Sequence, residues 1–311
     1  MKKVSKEMSQ ELAGRTASKT KGKCLNLLVL SALAALLCPA SASAVPILGP
    51  DLASFAVLGA TGVTNVPTST IGGNLGSAVN PTVGGGYVFT SGSIQPNTAI
   101  AQNAQLQLDA AILALSSMGP GQTIGSNLAG LTLLPGVYTV PAGTTNLSGA
   151  LTLDGQGNAN AAWVFQMESS LITSPNSVVN LVNTGSGAGV FWNVRSSATI
   201  DTNTTFLGNI LAQTSIAMNS TATDLCGRVL AANGAVTLNN NTVSDTCPDS
   251  LYGSNVLSGG LDVTTTPGGV TVVTTLPSTP ATVPVPEPST MLLLGSGILG
   301  LVAVKKRSRN A

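Results

Sequence analysis

Three stretches of the chain are versions of one another at a fixed interval. Gly189-Val-Phe-Trp-Asn-Val, Gly208-Asn-Ile-Leu-Ala and Gly227-Arg-Val-Leu-Ala begin 19 residues apart. Each opens a unit with an apolar strand, continues into a second short strand (Ser-Ile-Ala-Met at 215–218, Ala-Val-Thr-Leu at 235–238) and ends in an element rich in Thr and Asn. A unit this short cannot bury its own apolar face, so its neighbours must stack on it. Three strands per unit is what one rung of a three-sided β-solenoid requires. The stretch from Ala162 to Val179 reads as a further rung with a longer corner. Trp163, Phe165, Phe191, Trp192 and Phe206 are then expected in the core stack, the other reading being an open aromatic platform for a ligand.

One segment has a different period. Between Thr98 and Ser117, Ile100, Ala104, Leu108, Ala111, Ile112 and Leu115 fall on one face at helical spacing. Pro96-Asn97-Thr98 can cap its start and Gly119-Pro120-Gly121 ends it. The expected fold is all-β with one long helix, a β-solenoid whose helix (98–117) covers one sheet and leaves the others open. The domain is expected to span 45–262.

Composition removes most catalytic chemistry. The 311 residues include no histidine, so a Ser-His-Asp or Cys-His nucleophile has no imidazole to take its proton, and the commonest metal ligand is missing. Charged residues make up only 8% of the chain. Most of the basic ones sit at the two ends, leaving Arg195 and Arg228 as the basic side chains of 45–283 against nine acidic ones. Nucleic-acid binding through a basic face is therefore not expected. Asp154-Gly-Gln-Gly-Asn158 lacks the carboxylates of a calcium loop and reads as a turn. Gly84-Gly-Gly86 lacks the lysine of a phosphate loop. The serious enzyme alternative is a β-helix lyase or hydrolase using Asp201, Asp224 or Asp245, but nothing in the sequence selects a carboxylate pair. No cofactor or metal is expected.

Over 47–245 the motifs run, in order, Ser54-Phe-Ala-Val-Leu-Gly59, Val63-Thr-Asn65, Ile71-Gly-Gly-Asn-Leu-Gly76, the helix, Leu134-Pro-Gly-Val-Tyr138, Leu151-Thr-Leu-Asp-Gly155, Ala162-Trp-Val-Phe-Gln166, Val190-Phe-Trp-Asn-Val194, Gly208-Asn-Ile-Leu-Ala212 and Gly227-Arg-Val-Leu-Ala231. This order resembles the DUF3494 ice-binding proteins. The resemblance implies a right-handed β-helix of triangular section with a helix along one side. It also implies a first rung inserted beside the C-terminal rungs, and one flat face that binds ice. Ice is an uncharged lattice of donors and acceptors, which favours small, stiff side chains carrying one hydroxyl and one methyl. Threonine is stiff at χ1, and strands repeat at about 4.8 Å. The third element of the rungs supplies a column of such residues: Thr202, Thr204, Thr221, Thr223, Asn240 and Thr242, with Thr68 and Thr70 from the first rung. Thr61-Gly-Val-Thr64 adds a Thr-Gly-x-Thr pattern found in some members, so Thr61 and Thr64 join the expected ice face. The other reading of these residues is solvated strand and corner positions. Ala222 and Asp224 interrupt the column, and a slip of one residue in register would exchange outward for inward side chains.

Both ends read as addresses. Residues 1–44 combine a lysine-rich start, an apolar run from Leu25 to Leu37 and a small-residue stretch ending at Ala44, as in a secretory signal cut by signal peptidase; a retained anchor is the other reading. Export leaves Cys226 and Cys247 in an oxidising compartment, read here as a disulfide, with two buried free thiols as the alternative. At the other end, Val285-Pro286-Glu287-Pro288 precedes an uncharged run, 289–304, and a basic tail from Lys305 to Arg309. This resembles the PEP-CTERM sorting signal read by exosortases, with an ordinary C-terminal membrane anchor as the alternative. It implies delivery to the cell surface or extracellular matrix of a Gram-negative bacterium. The Thr- and Pro-rich stretch 263–284 reads as a flexible linker. The chain is expected to act as a monomer with the ice crystal surface as partner; a matrix or adhesion module without useful ice affinity is the alternative.

Overall fold

The computed structural model describes residues 46–248, 257–265 and 271–278. The expected signal (1–44) and the sorting segment (285–311) with its 289–304 run lie outside the described residues. Among the described residues no helix is long and apolar enough to cross a membrane.

The described chain winds as parallel strands around three sheets. Sheet A stacks, in spatial order, Gln122–Thr123, Gly136–Val140, Ala162–Met167, Gly189–Val194, the end of Thr205–Ala212, the end of Thr223–Ala231, Phe55–Gly59, Asn74–Ser77 and Ile94–Pro96. Sheet B stacks Leu171–Ile172, Ala198–Ile200, Ile216–Met218, Ala235–Leu238, the start of Gly62–Gly72 and residues 83–84. Sheet C runs from Thr132–Leu133 through Ala150–Asn158 and Val178–Thr184. It continues through the starts of Thr205–Ala212 and Thr223–Ala231, then Thr242–Ser244 and the later half of Gly62–Gly72. The first rung thus lies against the last, with Val57 opposite Val229, Val63 opposite Val236 and Thr70 opposite Thr242.

This order makes the helix necessary. After Ile94–Pro96 the chain is at one end of sheet A, and its next strand, Gln122–Thr123, is at the other, eight strands away. Eight spacings amount to about 38 Å. The 19-residue helix Ala99–Ser117 covers about 28 Å of this, and its flanking residues cover the rest. The Thr98 hydroxyl caps its start by accepting from the Ala101 amide. Ala101, Ala104, Gln105, Leu108, Ala111, Ile112, Ala114 and Leu115 are buried. Ile100 is 42% exposed, contrary to expectation, because the buried stripe is centred on Ala101, Ala104 and Leu108 and Ile100 falls to its side.

Covered by the helix outside and the core inside, sheet A is buried on both faces. That is why Ala162–Met167 and Gly189–Val194 read as unbroken apolar runs instead of alternating. Inward, Tyr138, Phe165, Trp192 and Phe206 form a ladder with successive ring centroids 5.9, 4.0 and 5.0 Å apart. Outward, Leu58, Val164, Phe191, Leu211 and Leu230 meet Leu108, Ile112 and Leu115 of the helix. The amide groups of this layer donate across it, Gln166 to the Leu115 carbonyl and Gln105 to that of Ala232, each at 2.6 Å, while the buried Gln105 side-chain oxygen has no partner.

One boundary differs from expectation. Residues 263–284 are not all linker: Leu261–Thr265 and Thr271–Thr275 form an antiparallel hairpin whose Val263 and Val273 pack on the helix-side core. Leu261 and Val263 on one strand and Val273 on the other give the hairpin an apolar side, and the Thr and Pro content hid that pattern. Cys226 and Cys247 are joined in a disulfide, which closes a loop of 21 residues.

Trp192→Ala should destabilise the domain by about 3–5 kcal/mol, read as a lowered urea midpoint. The Cys226→Ser, Cys247→Ser double variant should lose about 3 kcal/mol, the loop-closure entropy of a ring of this size.

Candidate functional site

With sheet A covered, sheets B and C remain open. Outward on sheet B, Thr64 stands beside Thr237, then Ala217, Thr199 and Ile172, one per rung. The Thr64 and Thr237 hydroxyls are 3.4 Å apart. A flanking column holds Ser170, Ser197, Ser215 and Ala235, with the Ser170 and Ser197 hydroxyls also 3.4 Å apart. On the other flank stand Ser174, Asp201, Asn219, Asn239 and Val66. Asn219 donates to Asp201 at 2.8 Å, and with the Thr202 amide it holds that carboxyl below the usual range. Among these positions Asp201 alone carries a charge.

The corner between sheets B and C is a stack of left-handed residues. Asn176, Asn203, Thr221 and Asn240 have φ of 60, 57, 61 and 50°. Asn203 donates to Asn176 at 3.4 Å, and the Thr221 hydroxyl donates to Asn203. Asparagine tolerates this conformation, whereas a β-branched residue does so at a cost.

The residues expected to form one ice-facing column are therefore divided among several places. Thr70, Thr223 and Thr242 align on sheet C, joined by Thr205. Thr204 is buried and not outward: its hydroxyl bonds that of Thr173 at 3.2 Å, and the register is one residue from the expected one. Thr221 and Asn240 are corner residues, and Thr202 is half-buried just before the same corner. Thr68 is exposed beyond the cis Val66-Pro67 bond; Thr61 is exposed between sheets A and B. Of the expected set, Thr64 is the residue on the outward column of sheet B. Sequence reasoning missed Thr199, Thr237, Ser197 and Ser215, whose signal is their place at the second strand of each repeat, Thr199 and Thr237 at its second and third residues and the two serines immediately before it.

Asp224 and Ala222 do not interrupt an outward face, since both point inward and are fully buried. The Asp224 oxygens lie against the Gly208 and Cys226 amides without a hydrogen bond of good geometry. Burial raises its pKa well above the carboxylate range, and Arg228 only partly offsets this. Arg228 is buried too and spends its donors on the Ala53 carbonyl, at 2.7 and 3.2 Å, and on Asn209 at 2.9 Å. Burial lowers its pKa to about 10. Asp201 lies on open sheet B, whereas Asp224 and Asp245 act on Arg228, so the three do not form one site. Among the described residues no group of three acidic or thiol side chains could hold a metal.

Sheet C is not flat. Cys247 and Pro248, held there by the disulfide, border a hollow of about 460 Å³ that includes Thr70, Thr90 and Thr242. Pro248 and Leu225 border a second, of about 410 Å³, lined by Val178, Leu181 and Leu207.

The family model for ice-binding-like proteins matches residues 57–244, from the first strand of sheet A to the last of sheet C. The chain belongs to the ice-binding-like family. The ice-binding protein of Nostoc sp. (strain HG1) is 37% identical over 286 residues, covering 91% of this chain and 95% of the relative. The ice-binding protein of Flavobacterium frigoris (strain PS1) is 31% identical over 215 residues, 62% of this chain and 74% of its own. An ice-binding protein structure from an Antarctic biological consortium aligns with a TM-score of 0.58 at 33% identity, covering 67% of this chain and 95% of that one. That of Antarctomyces psychrotrophicus gives 0.57 at 31%, covering 65% and 98%. Downstream of this ice-binding-like domain, residues 284–307 match the PEP-CTERM protein-sorting motif, which supports export to the cell surface.

Thr221→Asn should stabilise the domain by about 1 kcal/mol, visible in thermal unfolding, by placing asparagine at the one left-handed corner position that lacks it. Asp224 with a raised folded pKa contributes stability below the ordinary value of 3.8, and this is lost as pH rises through the folded value. Asp224→Asn should therefore raise the melting temperature at neutral pH and shrink its fall between the carboxylate range and neutrality.

Proposed function

We propose that the domain binds ice through sheet B and acts, without enzymatic activity, as an exported inhibitor of ice recrystallisation. The observation that carries this reading is the set of outward columns of Ser, Thr, Ala and Asn, repeated in register from rung to rung and left uncovered by the helix. In-register parallel strands hold hydroxyls and methyls at about 4.8 Å in one direction, and β-branched threonines keep them there without losing much further rotamer entropy. Lysine and arginine hold water too strongly to match an uncharged lattice, and none stands on this sheet. Asp201, Val66 and Ile172 break the regularity, which suits inhibition of recrystallisation better than strong crystal shaping. The relatives' names point the same way. The threonines of sheet C form the second candidate surface, but the Cys247–Pro248 segment stands on that sheet and breaks its plane.

In this reading the protein works as a monomer, needs no cofactor and meets signal peptidase and exosortase only during export. The 289–304 run then serves as a transient or retained membrane segment. Of the arginines and aspartates a lyase could draw on, Arg228 and Asp224 are committed to the interior.

The purified exported protein at micromolar concentration should slow the coarsening of ice grains relative to buffer; coarsening at the buffer rate would refute the reading. Thr237→Lys, and separately Thr64→Lys, should reduce this activity about tenfold, equivalent to about 1.4 kcal/mol of adsorption. Thr223→Lys on sheet C should leave it nearly unchanged. The reverse pattern would move the ice face to sheet C.

A further inference from the structure

The described chain ends at a particular edge of the prism. Each rung runs from sheet A to B to C and back to A, so the edge between sheets C and A is opposite sheet B. The C-terminal segment is fastened along that edge. Leu257 accepts from the Val190 amide at 3.0 Å and from Asn209 at 2.6 Å, and Ser258 pairs with Gly189. The hairpin Leu261–Thr265, Thr271–Thr275 then leans on the helix side of sheet A. The chain returns to the same edge: the Leu276 amide donates to Gly260, and Asn160, in the corner between Ala150–Asn158 and Ala162–Met167, donates to the Pro277 carbonyl at 3.2 Å. The sorting motif begins at residue 284. The intervening residues can span at most about 20 Å. That is about one side of a rung, since a third of 19 residues at 3.3 Å each is also about 20 Å.

We propose that the protein is a surface-held ice adhesin: its tether leaves the edge opposite sheet B, so sheet B faces away from the envelope and can fasten the cell or its matrix to an ice crystal. This rests on the assignment of ice binding to sheet B. It does not depend on whether the tail is kept or cut near the motif, because attachment at either point lies a short way beyond Pro277. A tether this short keeps the C–A edge toward the envelope and sheet B, one side of the prism away, toward the medium. Many copies on one cell facing the same way act multivalently, so cell attachment gains by orders of magnitude over a single domain.

The test uses bacteria that process PEP-CTERM proteins, making the full chain. Cells carrying it should be retained on a growing ice surface at least about tenfold more than cells without it, given that avidity. Cells making equal surface amounts of Thr237→Lys, or of Thr64→Lys, should fall to the background. A bulky impermeant maleimide should label Thr237→Cys on intact cells several-fold faster than Ser186→Cys, which is exposed at the C–A edge. If full-length protein purified from the same cells slows recrystallisation but the cells are not retained, or the two cysteines label equally, the adhesin inference is overturned and the ice reading stands. Retention that survives both lysine substitutions also overturns it. If neither cells nor purified protein respond to ice, the ice reading fails and takes this inference with it.

Discussion

The closure of one rung on another governs this structure. A parallel strand at the end of a stack offers a row of unpaired amides and carbonyls, which soluble proteins must cover. Here the chain's first turn covers its last: Phe55–Gly59 pairs Thr223–Ala231, and Gly62–Gly72 pairs both Ala235–Leu238 and Thr242–Ser244. Arg228 reinforces the seam by reaching from the last rung to the Ala53 carbonyl at the start of the first. The long helix follows from this arrangement, because a chain that begins in the middle of its own stack must travel to the far end before it can build back. The helix in turn decides function, since it removes sheet A from solvent and leaves two sheets to meet anything outside.

Much of this was legible in the residues. The 19-residue spacing of glycines predicted the rungs and the single stretch of helical period predicted a cover for one sheet, although which sheet it covers emerged only with the doubly buried runs Ala162–Met167 and Gly189–Val194. The outward face was harder to read. Alternation of inward and outward side chains holds only along a continuous strand. In four rungs the passage from sheet B to sheet C goes through a left-handed residue, Asn176, Asn203, Thr221 or Asn240, which resets the phase. Thr202, Asn203 and Thr204 look like part of one Thr-x-Thr strand, yet Asn203 has φ of 57° and Thr204 turns inward to Thr173. The outward ladder resumes at Thr205. No local propensity announces such a reset, and asparagine is also the residue one would expect on a polar face. Composition misled in a second place: a Thr- and Pro-rich tail reads as linker until Val263 and Val273 pack on the helix-side core.

The scarcity of charge has two separate physical origins. Inside, the solenoid has room for buried charge only where its effect is local, as at Asp224, Arg228 and Asp245 beside the seam, where desolvation raises the pKa of the acids and lowers that of the base. Outside, on sheet B, charge is nearly absent for a reason that burial cannot supply. Exposed strand positions ordinarily accept lysine and glutamate for solubility, and open sheets gain from them. A sheet that is open, uncovered and carries one charge, Asp201, over successive rungs suits the uncharged partner proposed for it.

Geometry favours sheet B over sheet C on the same grounds. Strands twist with a fixed hand, and the twist accumulates with their length. The strands of sheet B are two to four residues long in Leu171–Ile172, Ala198–Ile200, Ile216–Met218 and Ala235–Leu238, so each ends at a corner before it has turned far. Those of sheet C reach nine residues in Ala150–Asn158 and seven in Val178–Thr184, and a disulfide-held proline stands on their surface. Two sheets built from the same repeat thus differ in strand length because of where the corners fall. The corner residues, chosen for backbone conformation, set the plane of the face as much as the threonines that stand on it.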